Sequence, residues 1–188
     1  MTAGRALAAG LAAAMAMSSC VHVGEGDEPL VMAERVIREA CIPFVVDGVD
    51  ADEVGRRLGG WWTRNFPDPF TPPQGPIFRR NGATVQVIDG RSARTMDGQL
   101  TTRPMRHCRL WLGRTPETGL VEAVTSAVEM RTGVVMAAPG TVDGNRKIIA
   151  CIPSGPGRIA VVNVLLFRNG ETGASVYETS AGPRNCVG

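Results

Sequence analysis

From Pro76 onward the chain alternates short aliphatic and β-branched runs with glycine turn signals, and this pattern limits the fold more than any other feature. Asn81-Gly82, Asp89-Gly90, Asp97-Gly98, Asp143-Gly144-Asn145 and Asn169-Gly170 recur between the runs, and Ser154-Gly155-Pro156-Gly157 adds another. Asn-Gly and Asp-Gly readily supply the positive φ of tight hairpins. Connections that short can join only antiparallel neighbours. The pattern predicts strands over 77–80, 84–88, 105–112, 134–137, 146–152, 158–167 and 174–178.

Three segments carry a helical period instead. Over 29–41, Leu30, Ala33, Ile37, Ala40 and Cys41 share one stripe, with Pro29 suited to a first turn and Pro43 expected to end the helix. Over 50–58, Asp50 and Glu53 form a capping-box-like start and Gly59-Gly60 a stop. Over 115–131, Thr115 is the expected N-cap, Pro116 follows it, and Leu120, Val121, Val124 and Val128 make the apolar face. The expected class is α+β: a mainly antiparallel sheet of hairpin-linked strands with about three helices on one side.

Composition agrees with one folded domain. A chain of 188 residues that is 44% hydrophobic with net charge +2 is too apolar and too weakly charged for disorder. The small net charge argues against a nucleic-acid partner. No apolar run reaches the roughly 20 residues of a membrane-spanning helix.

The N-terminus reads as an address. Arg5 gives a positive start, and 6–17 is an uncharged apolar stretch suited to an export signal. Met17-Ser18-Ser19-Cys20 resembles the lipobox of bacterial lipoproteins, in which small residues precede a cysteine that is lipidated and becomes the new N-terminus. The resemblance implies a signal peptide over 1–19, lipidation of Cys20, a tether over 20–28 and a single α+β domain over 29–188. It further implies a membrane partner through the lipid. Val21 after the cysteine points to the outer membrane, facing the periplasm. Ala14-Met15-Ala16 offers ordinary cleavage as the rival, which would give a soluble periplasmic or secreted protein.

There are five cysteines, at 20, 41, 108, 151 and 186. With Cys20 lipidated, Cys41, Cys108, Cys151 and Cys186 remain, an even number in an oxidising compartment. They are expected to form two disulfides, and the sequence leaves all three pairings open. No CxxC spacing and no nearby histidine suggest a metal, so neither metal nor cofactor is expected.

Four of the nine aromatic residues, Trp61, Trp62, Phe66 and Phe70, lie in a segment with five prolines at 61–76. Two functions fit. They could form a stacking platform for a glycan or an envelope protein, or they could plug the core between helices and sheet. Charge is also segregated: net −5 over 21–60 and net +6 over 61–114. A basic surface for anionic partners is one outcome. Neutralisation by the acidic helices packed beside it is the expected one.

Catalytic signals are few. Gly155-Pro156-Gly157-Arg158-Ile159-Ala160 matches a GxGxxA string, but a β-branched run follows where a dinucleotide site needs a helix. Asp47, Asp50, Asp52 and Glu53 fit no EF-hand spacing and suit helix capping. His107 is the only histidine beyond the tether, so it is the single candidate base for a hydrolase-like alternative. No catalytic residue is assigned. The expectation is a lipid-anchored envelope protein acting as a non-catalytic binding or accessory module. An inhibitor or immunity-type protein that binds through the 61–70 loop is the remaining alternative.

Overall fold

The computed structural model describes residues 28–59, 63–65, 75–96 and 99–180. The expected leader over 1–19 and the tether to residue 27 lie outside them. Nine strands form a sheet antiparallel at every pairing, with helices packed on one face. This is the α+β arrangement that the turn pattern predicts.

The first helix begins as predicted but does not stop at Pro43. It runs as α1 (Pro29–Val36), a π-helical turn (Ile37–Cys41) and α2 (Ile42–Val46). A proline inside an α-helix clashes with the carbonyl four residues back. The π-turn widens the helix just before Pro43, with the Ile42 N–H bonding back to the Ile37 carbonyl. The extra residue per turn lets the helix continue and bury Phe44 and Val45.

α3 (Ala51–Leu58) starts where expected, and the Asp50 carboxylate accepts from the Glu53 N–H at 2.7 Å. The Glu53 carboxylate does not close the capping box; it pairs with Arg56 and Arg57 instead. α4 (Glu117–Glu129) is the third predicted helix, but Pro116 occupies its N-cap. Thr115 is turned away and donates to the Leu112 carbonyl at 3.4 Å. α1 and α4 approach closely at Gly119, where a Cβ would lie 2.7 Å from a Leu30 methyl.

The strands are β1 (Thr63–Asn65), β2 (Ile77–Arg80), β3 (Ala83–Met96), β4 (Gln99–Gly113), β5 (Val135–Met136), β6 (Val142–Asp143), β7 (Arg146–Gly155), β8 (Arg158–Leu166) and β9 (Thr172–Ser180). Their spatial order is β1-β2-β3-β4-β9-β8-β7-β5, with β6 paired to β7. One expected turn is absent: β3 continues straight through Asp89-Gly90, with Asp89 opposite Arg106 and Gly90 opposite Met105. The Arg106 guanidinium holds the Asp89 carboxylate at 3.0 Å, so that aspartate serves a cross-strand pair and not a turn.

Alternation divides the sheet into two faces. Phe78, Val85, Val87, Cys108, Leu110, Val162, Val164, Ala174 and Val176 face the helices and form the main core with Ile37, Phe44, Leu120 and Val124. The opposite face carries a smaller apolar cluster of Ile148, Cys151 and Val161. Beside it runs a polar row, described below.

Candidate functional site

Cys41 and Cys108 form a disulfide, with Cα atoms 5.2 Å apart. Both are fully buried, and the bond ties the π-turn of the first helix to the centre of β4. Cys151 is also disulfide-bonded. Cys186, lipidation candidate Cys20, and the aromatic residues Trp61, Trp62, Phe66 and Phe70 lie outside the described residues. Among the described residues no group of His, Cys, Asp and Glu side chains is placed to hold a metal ion.

His107 sits on β4, on the face opposite the helices, and is 5% exposed. Its strand neighbours do not share its surroundings: Arg106 and Cys108 point to the helix side. Across β9 its partner is Tyr177, with ring centroids 5.8 Å apart. The Arg109 Nε–H donates to His107 Nε2 at 3.1 Å. A nitrogen that accepts a hydrogen bond carries no proton, so this imidazole is neutral with its proton on Nδ1. Burial first, then the guanidiniums of Arg109 and Arg146, push its pKa down to about 3. No carboxylate orients it among the described residues, and its basic nitrogen is occupied by an arginine. His107 lacks both features a general base needs, a free lone pair and a pKa near neutrality.

The register builds a wider cluster around it. One row across the sheet holds Gln86, Arg109, Ser175 and Asn163 on β3, β4, β9 and β8. The next row holds His107 and Tyr177. Ser175 and Asn163 are buried, and the Ser175 hydroxyl donates to Asn163 Oδ1 at 2.9 Å. Asn163 Nδ2 is buried with no hydrogen-bond partner among the described residues. From β7, the Arg146 guanidinium lies 5.1 Å from the Tyr177 ring centroid. Arg146 is paired with Leu165 and Tyr177 with Val161, and Asn163 lies between those two partners on β8.

The electrostatics of the cluster are one-sided. Burial, and the guanidinium of Arg146, pull Arg109 below its ordinary pKa. Among the described residues no acid of the helices pairs with Arg109 or Arg146. Glu34, Glu39 and Glu53 pair with arginines in their own helices, and Asp47 pairs with Arg131.

Sequence reading singled out His107 but missed its companions. The available signal was Asn163, a lone amide inside the apolar run of β8. Arg109, Ser175 and Arg146 gave none, because only strand pairing brings them together. No protein-family model, no curated protein and no solved structure matches this chain.

Proposed function

We propose that the chain is an exported protein of the bacterial cell envelope, anchored through lipid on Cys20 at the outer membrane and facing the periplasm. It acts there as a non-catalytic binding module for an envelope protein or glycan. The observation that carries this reading is the Cys41–Cys108 disulfide, which is fully buried. Disulfides in the interior of a stable fold are characteristic of oxidising compartments. A signal-like N-terminus ending in Met17-Ser18-Ser19-Cys20 is consistent with the same route. The non-catalytic half is supported by His107, the one histidine beyond the tether, whose acceptor nitrogen is taken by Arg109.

Cell fractionation of wild type and Cys20→Ala tests the reading. Wild type is expected in the outer-membrane fraction and Cys20→Ala in the soluble periplasm. Recovery of the wild-type chain from the cytoplasm, or unchanged membrane partition of Cys20→Ala, overturns it. A pull-down of envelope components with the full chain then identifies the partner.

A further inference from the structure

We propose that the sheet face opposite the helices binds an oxyanion between Arg109 and Arg146, over the buried amide of Asn163. Two guanidiniums and one amide nitrogen supply donors there. Arg109 spends its Nε–H on His107, which leaves its terminal nitrogens without an acceptor among the described residues. Arg146 rests on the Tyr177 ring and makes no ion pair among the described residues. Its hairpin neighbour Asp143, directly opposite in the β6–β7 register, is exposed and unpaired with it. The Arg146 guanidinium is close enough to Arg109 to help pull its pKa down, and among the described residues no carboxylate pairs with either, so positive charge collects on a partly covered surface.

Asn163 is the independent observation. A buried amide nitrogen without an acceptor is costly, and native proteins rarely keep one without a use. Asn163 has no exposed surface, and Ser175 holds its oxygen, so its orientation is set and its nitrogen is the open end. The register places Asn163 on the same face as Arg109, between the β8 positions opposite Arg146 and Tyr177. An oxyanion seated there would take the Nδ2 donor and both guanidiniums at once. Arg146 would exchange a weak cation–π contact for a charge-assisted hydrogen bond. Neutral His107 completes the arrangement by holding Arg109 through Nε without adding a competing charge.

This site rests on the binding-module reading but not on the lipid anchor, so its failure would leave the fractionation result untouched. The test is a titration of the isotopically labelled full chain with inorganic phosphate and, separately, acetate, at constant chloride. The expected result is a saturable shift of the Asn163 side-chain amide by at least one anion, with Kd of about 1 mM or tighter. Phosphate alone saturating the site assigns a phosphate-bearing ligand; acetate alone assigns a carboxylate. Arg109→Gln and Arg146→Gln should each weaken binding at least about tenfold, the loss of one charge-assisted contact. Exposed Arg79 supplies the control, and Arg79→Gln should leave affinity unchanged. Absence of saturation by both anions overturns the proposal. So does equal weakening by Arg79→Gln, which would mean diffuse attraction. Should Arg109→Gln fail to fold, Arg146→Gln decides alone, because Arg146 is partly exposed at the start of its strand.

Discussion

Cys41 and Cys108 stand 67 residues apart in sequence and 5.2 Å apart between Cα atoms, joined by a bond that fastens helix to sheet. The bond crosses the main core, so it constrains the one packing that the fold most depends on. In the chain-entropy account a loop of that size stabilises by about 4 kcal/mol. Replacing both cysteines with alanine should lower unfolding free energy by roughly that amount in denaturant titration. Wild type under reducing conditions should lose at least as much, because the disulfide of Cys151 opens as well. Unchanged stability in both would mean that packing alone holds helix and sheet.

Arg106 makes a second fastening nearby. Its Nη1 donates to the Phe44 carbonyl at 2.6 Å and the Val49 carbonyl at 3.1 Å, while Nη2 meets Asp89 at 3.0 Å. The guanidinium carbon also lies 4.9 Å from the Phe44 ring centroid. It satisfies backbone acceptors at and beyond the end of the first helix, where carbonyls lack intrahelical partners. Arg106→Ala should cost about 2–3 kcal/mol, in the range for hydrogen bonds to a charged group left unmade. Arg106→Lys should recover only part, since an ammonium cannot span the three acceptors as a planar fork does. Full recovery by lysine in thermal melts would contradict the fork geometry.

His107 predicts a pH dependence. Its folded pKa, about 3, lies below the ordinary value of 6.5, so the unfolded chain binds the proton more tightly. The stability it contributes is fully present above pH of about 6.5 and is lost as pH falls toward 3. Across that window the loss approaches roughly 1.4 kcal/mol per pH unit. The charged and titratable groups facing it are Arg109, Arg146 and Tyr177. His107→Gln should remove this loss, so that the stability difference between the two proteins slopes over that window. A parallel pH profile for wild type and variant would mean that His107 protonates freely in the fold.

Asn163 and Ser175 predict a trade between stability and binding. An unpaired buried amide nitrogen costs about 1–3 kcal/mol, and replacing both hydrogen-bonded partners by apolar groups can be neutral or stabilising. Asn163→Leu with Ser175→Ala should therefore hold or raise the melting temperature while abolishing anion binding. A clear loss of stability would show that the pair is needed for the core and not kept for a ligand.

Gly75 predicts a backbone limit. Its φ is +87°, and a Cβ there would lie 1.9 Å from the Val87 carbonyl oxygen. Gly75→Ala should displace the start of β2 from β3 and cost more than the ~1 kcal/mol of an ordinary glycine-to-alanine backbone effect. Amide exchange at Val87, whose N–H donates to the Pro76 carbonyl at 3.2 Å, would report that displacement.

The sequence by itself determined the elements and their class. Turn glycines and β-branched runs act within a few residues, so strands such as Ile77–Arg80 and Arg158–Leu166 and the stripe of α4 were legible without a partner. Two local signals misled for local reasons. Pro43 is carried by a π-turn, and Asp89-Gly90 by the cross-strand claim of Arg106 on Asp89. Tertiary structure alone decided which cysteine meets which, and that β9 lies between β4 and β8. That placement sets Arg109 in one row with Ser175 and Asn163, residues far from it in the chain. Pairing energy depends on register between strands distant in the chain, and no short-range pattern encodes it. The donor cluster is therefore a property of the assembled sheet and not of any segment within it.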